Sequence, residues 1–282
     1  MRLQKAPLVT SGLVLGLLGL GNLLKDLSLT LNAVCGIFAF LIWIHLLCTM
    51  LKYSNNVKEQ LNSPLVSSVF TTFFMSGFLG TTYLNTFFSN ITFINSLITP
   101  IWILCLVGIM THMIIFSIKY LKDFSLENVY PSWTVLFIGI AIAGLKAFPL
   151  QTSIKPNTST ICAPFSLVAA AYVIAFPKAN AFIVIIFLIL AQIFYFYIII
   201  QLPKLLKEPF SPVFSAFTFP LVISATALKN SLPVLMFPDI WKGLLFIEVL
   251  LATVIVLRVF IGYLHFFLKK ENQDKFLRNA SQ

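Results

Sequence analysis

The stretch "SPVFSAFTFPLVISATALK" (residues 211–229) decides how this chain is read. It lies between the charges Glu208 and Lys229 and is long enough to cross a bilayer, which takes about 20 apolar residues. Yet Pro220 sits near its middle, with Ser215, Thr218, Ser224 and Thr226 around it. Proline donates no amide hydrogen bond and clashes with the preceding turn, so it frees the carbonyl near residue 216 and bends the helix. A freed backbone group is tolerated at membrane depth only where protein or a watery cavity covers it. The segment is therefore expected to face inward, away from lipid.

The rest of the chain bears on whether there is a membrane at all. Apolar residues make up 59% of the sequence and charged residues 10%, with a mean hydropathy of +0.96. Soluble domains carry about 25% charged residues. So few charges cannot cover a water-facing surface, and the chain reads as an all-α integral membrane protein in contact with the lipid bilayer. A membrane β-barrel is excluded because the apolar runs lack alternation and are too long for strands. The net charge of +10 does not point to nucleic acid, since the basic residues are scattered in ones and twos between apolar runs. Cys35, Cys48, Cys105 and Cys162 all fall inside apolar runs without a CxxC pair, and read as small core residues. Asn90, Asn157 and Asn279 begin glycosylation-type triplets, a pattern common by chance.

Charges mark nine spans, at roughly residues 7–24, 28–52, 64–84, 92–118, 130–147, 160–177, 179–203, 212–229 and 240–268. They form a single transmembrane domain over 1–268, followed by a basic cytoplasmic tail over 269–282. The uncharged stretch between Glu59 and Lys119 must turn near residues 85–90. The first, third and eighth spans are rich in Gly, Ser, Thr and Pro, whereas the second, fourth, seventh and ninth are oily. This alternation predicts repeated hairpins, the oily member toward lipid and the small-polar member toward protein or water. The fifth and sixth spans break it, since both are small-polar. Loop charges show the same fault. With Arg2 and Lys5 inside, nine crossings would leave Lys204, Lys207 and the tail outside, against the positive-inside rule. Both patterns imply that one oily span is missing between the fifth and the sixth.

Four segments carry a family resemblance: "SPLVSSVFTTFFMSGFLG" (residues 63–80), "YPSWTVLFIGIAIAG" (130–144), "TICAPFSLVAAAYV" (160–173) and "FSPVFSAFTFPLVISATAL" (210–228). They resemble the tellurite-resistance/dicarboxylate transporter family, which includes malate permeases and slow-type anion channels. The resemblance implies ten helices in five hairpins, set in a pseudo-fivefold ring around a central pore. It implies small anions as substrate, chiefly C4-dicarboxylates such as malate, and a homo-oligomer, commonly a trimer, in the bacterial cell membrane. It also implies a pore-plugging phenylalanine, which falls on Phe219, with Phe217 as the alternative one pair away. The family's outer sixth helix has no counterpart in this chain, and Phe74 stands where some members carry proline.

On this reading Gly12, Gly16, Ser68, Thr71, Thr72, Gly139, Pro164, Ser215, Thr218 and Pro220 line the pore or kink its walls. Gly12 and Gly16 permit a neighbour's close approach, and Pro164 acts in its span as Pro220 does in the eighth. Neutral walls with basic rims suit anions. No phosphate-binding GxxxxGK[ST] loop, metal-ligand spacing or cofactor motif is present. An enzyme would need acid, base or metal groups converging at one depth, which three scattered histidines do not provide. Glu248 is the exception to the neutral spans; the expectation for it is a near-interface pairing with Lys242 or a neighbour, with a role in proton or sodium coupling as the alternative. The alternative function is a non-transporting membrane scaffold or an inactive relative lacking one helix.

Overall fold

The structure is a computed structural model that describes residues 5–122, 129–133 and 152–268. It is helical throughout, with no strand among the described residues. The helices are α1 (Ser11–Leu24), α2 (Leu29–Lys52), the short α3 (Ser54–Gln60), α4 (Pro64–Phe88), α5 (Thr92–Leu121), α6 (Ala163–Ala175), α7 (Ala181–Leu205), α8 (Thr218–Leu235) and α9 (Ile240–Leu268). Seven helical stretches are long and apolar enough to cross a membrane, and Leu8–Leu24 forms a shorter apolar one. The chain is thus a multi-pass membrane protein. The uncharged central stretch breaks at Ser89, between α4 and α5, near the expected turn.

Tight 3₁₀ segments lead into three of the helices: Leu8–Thr10 before α1, Thr152–Cys162 before α6 and Pro212–Phe217 before α8. The two prolines expected to bend their spans explain the change of geometry. Pro164 and Pro220 each lie in the first turn of an α-helix, where a missing amide costs least. The turn before the proline winds as 3₁₀ and the turns after it as α, so the kink is a junction between two kinds of helix.

Small-polar and oily helices pair in sequence: α1 with α2, α4 with α5, α6 with α7 and α8 with α9. Burial separates the partners. Across the best membrane-spanning window, α4 is 67% buried and the 212–235 span 83%, against 22% for α2, 11% for α5 and 28% for both α7 and α9. Outer side chains such as Phe40, Leu104, Ile200 and Phe246 are largely exposed, a surface stable only in lipid. Inner helices pack on one another, α4 against α1, α1 against α8 and α8 against α6.

Contacts also sort the loops by end. Ser215 bonds the carbonyl of Val9, Arg258 that of Leu206, and Tyr263 that of Pro212, placing residues 5–10, 206–217 and the last turns of α9 together. Ser132 and Asn157 meet at the same end. Among the described residues, Lys5, Lys52, Lys58, Lys119, Lys204 and Lys207 therefore share one end with Glu59 and Glu208 against them. At the other end Lys25, Lys178, Lys229 and Lys242 are offset by Asp26 and Asp239. Trp133 and the 152–162 segment also stand at the lysine-rich end, and Lys204 and Lys207 lie at the same end as Lys5, as the positive-inside rule asks. Most of the expected fifth span, Gly139 and the site of the missing oily span lie outside the described residues, as does the tail.

Candidate functional site

A hydroxyl at membrane depth has no water to bond, so its partner must come from protein. The partners chosen here run between helices. Ser215 Oγ donates to the Val9 carbonyl at 2.9 Å, and Thr218 Oγ1 to the Gly12 carbonyl at 3.0 Å, tying the start of α8 to the start of α1. Ser11 Oγ meets Thr72 Oγ1 at 2.7 Å, tying α1 to α4. Ser68 Oγ bonds Ser132 Oγ, tying α4 to residues 129–133. Asn157 Nδ2 donates to the same Ser132 Oγ at 3.2 Å. Ser159 Oγ, two residues on, donates to the Ala216 carbonyl at 2.6 Å, returning to the segment where the circuit began. Five separate segments are thereby joined in a closed belt of hydrogen bonds at the lysine-rich end.

The last bond resolves the proline at the centre of the eighth span. Pro220 has no N–H for the carbonyl four residues before it, and that carbonyl is Ala216. Ser159 supplies the missing donor from another segment. An orphan made by one helix thus becomes a joint with its neighbour.

Close approach in the belt depends on α1 glycines. A Cβ on Gly12 would lie 3.0 Å from Ser215 Oγ, and one on Gly16 would overlap the side chain of Thr218. Without those side chains α8 lies against the α1 backbone, close enough for its hydroxyls to reach main-chain carbonyls.

The structure brings Gly12, Gly16, Ser68, Thr72, Ser215, Thr218 and Pro220 into or against the belt, all buried. Thr71 is buried too, but its hydroxyl turns back to the Ser68 carbonyl of its own helix. Pro164 is buried in the first turn of α6, where α6 packs on α8. Phe217 is fully buried in the main hydrophobic cluster, edge-on to Phe214. Phe219 differs: it is 7% exposed, its ring lies over Gly19 of α1, and it belongs to none of the hydrophobic clusters.

Ser11, Ser132, Asn157 and Ser159 were not among the residues expected to line the pore, yet each makes a joint. The available signal was positional: a hydroxyl recurs near the start of every small-polar segment, at Ser11, Ser68, Ser132, Ser159 and Ser215. Asn157, one of the three glycosylation-type asparagines, is fully buried in this network and closed to modification.

Glu248 requires a correction. Lys242 pairs with Asp239 at 2.6 Å, and Glu248 points into the protein with no exposed surface. Its Oε2 accepts from Ser224 Oγ of α8 at 3.2 Å. Two turns of helix separate it from Ile240, so inward orientation and not the helix end sets its partners. His112, buried on α5, bonds the Ser67 carbonyl through Nε2 at 2.8 Å and packs on Phe70, which is a role in packing.

At the opposite end Lys229 reaches from α8 to Asp26 at 2.7 Å and to the Leu23 carbonyl at 3.1 Å. The Lys229 ammonium, by hydrogen bond and by charge, holds the Asp26 carboxyl below the ordinary aspartate range. Compared with known protein families and with curated proteins, the sequence matches none.

Proposed function

We propose that the protein is a transporter or channel for small anions whose inner segments form a fivefold ring around a conduit. The observation that carries this reading is the closed hydrogen-bonded belt through five segments, each described small-polar helix having an oily partner on its lipid side. A circuit of adjacent inner segments has an axis, and that axis is where hydroxyls, backbone groups and small residues would meet a solute. Lysines at the belt end would concentrate anions at its mouth, and among the described residues the belt's own joints are made by hydroxyls, an amide and backbone carbonyls without a fixed charge. Phe219 fits a plug, being enclosed yet unclaimed by the hydrophobic clusters. The sequence resemblance adds C4-dicarboxylates as the substrate class and a trimer with one conduit per subunit.

The test is anion flux in proteoliposomes of purified protein. The parent protein is expected to conduct slowly, and Phe219→Ala to raise flux several-fold. Unchanged flux in Phe219→Ala sinks the plug, and no flux in either protein sinks the transport reading. One observation favours the scaffold alternative: the belt hydroxyls are spent on one another and on backbone, as in a structural joint. The same assay separates the two.

A further inference from the structure

Glu248 is the buried acid that the anion conduit does not use. It sits on an outer helix but turns inward, and the registers of two neighbouring helices place it at mid-depth. Ser224, its hydrogen-bond donor, lies at the midpoint of the 212–235 span, and Gln192, beside it, lies one residue from the midpoint of Ala181–Leu205. Oε1 of Glu248 has no hydrogen-bond partner, and neither amide atom of Gln192 closes one of good geometry, although that amide faces the carboxyl. A carboxylate oxygen and an amide left unpaired at mid-membrane are costly to keep. Packing alone would be better served by leucine there, as in the rest of α9.

No cation compensates the carboxyl among the described residues. α1 carries no ionisable side chain between Ser11 and Leu24. On α8, Lys229 turns away to Asp26 and the Leu23 carbonyl. On α9 itself, Lys242 pairs with Asp239, Arg258 with the Leu206 carbonyl, Tyr263 with the Pro212 carbonyl and His265 with the Ile261 carbonyl. The titratable groups within electrostatic reach are the Cys162 thiol before α6 and the Tyr195 phenol on α7. A proton would supply the positive charge that this site lacks.

We propose that Glu248, Ser224 and Gln192 form a proton-binding site at mid-membrane whose occupancy is coupled to transport. A proton arriving at Oε1 forms one O–H bond and cancels the carboxylate charge; its departure to water restores that charge. Gln192 can serve both states. Its Nε2 donates to the carboxylate, and after a half-turn of the amide its Oε1 accepts from the acid. Ser224 links the site to α8, one helical turn past Pro220, so a change of charge at Glu248 acts on the helix that carries Phe219. The coupling half rests on the transport reading, whereas the binding half does not.

The experiment uses full-length protein in liposomes, as wild type and as Glu248→Gln, which keeps the shape of the protonated acid. Infrared difference spectroscopy follows the carbonyl stretch of the protonated carboxyl as pH is raised. Malate flux is then measured with and without an inward proton gradient. A carbonyl band that titrates in wild type and is missing from Glu248→Gln is expected, with a several-fold gradient stimulation that the variant loses. A band that never titrates from about pH 4 to about pH 10, the span of ordinary carboxyl to tyrosine ionisation, overturns the site. Equal gradient stimulation in both proteins overturns the coupling. If the band titrates but wild type carries no flux, the binding site stands and the transport reading falls. Glu248→Asp guards against misfolding: it is expected to retain a titrating band and a weakened gradient response.

Discussion

Helices α8 and α9 lie side by side and obey opposite rules. α9 is dominated by leucine, isoleucine, valine and phenylalanine and is mostly open to lipid. α8 is mostly buried, begins on a 3₁₀ turn, carries Pro220 and Pro233, and makes its joints through Ser215 and Thr218. Oily burial cannot distinguish protein from lipid tails, so it adds little to helix association in a membrane. Shape and hydrogen bonds must do that, and they are concentrated on the inner member of each pair. An outer helix needs only to be apolar. Its tolerance for change should therefore be wide and that of the inner helix narrow.

The sharpest way to break this contrast is a bulky residue at the tightest inner contact. Gly16→Leu forces a side chain into Thr218 and is expected to cost about 3 kcal/mol or more, the upper range of overpacking, with loss of monodisperse protein on size exclusion. Ile103→Ala, on the lipid face of α5, should stay within about 0.5 kcal/mol by thermal melting in the same detergent. Equal losses from both would refute the division.

A smaller effect is expected from Ser159→Ala. It strips the donor from the Ala216 carbonyl that Pro220 leaves free, which should lower stability by about 1–3 kcal/mol. The double variant Ser159→Ala, Pro220→Ala restores a main-chain donor, so its loss should be less than the sum of the single losses. Additive losses would show that the two residues do not share that carbonyl.

The smallest effect lies outside the belt, at the Asp26–Lys229 pair. The folded carboxyl sits below its unfolded value, so its contribution is full above the ordinary aspartate range and disappears as pH falls through the depressed folded value. Because Asp26 is 77% exposed, Asp26→Asn should cost no more than about 0.5 kcal/mol near neutral pH and nothing in acid. A loss that grew as pH fell would reverse the assignment.

Much of the fold was legible along the chain. The bounds of α2, α4, α5, α7 and α9 follow from charges and apolar run lengths, because lipid imposes a length on anything that crosses it. Inner and outer roles followed from hydroxyl and glycine content. The candidate site was legible only in part. Ser215, Thr218, Gly12 and Gly16 stood out by type, yet their partners, the carbonyls of Val9 and Gly12, carry no side-chain signature. Ser159 could not be matched to Pro220, 61 positions further on, by local pattern. Glu248 was misread because distance to Lys242 along one helix says nothing about which way a side chain faces.

Composition and run length alone determined that this chain lives in a bilayer, where it turns, and which helices avoid lipid, since these depend on transfer free energies that each segment carries by itself. Tertiary structure alone decided which hydroxyl meets which carbonyl, that the joints close into a belt, and that Glu248 looks inward toward Ser224. Those depend on the rotation and depth of one helix relative to another, and helices far apart in sequence share no local rule that sets either.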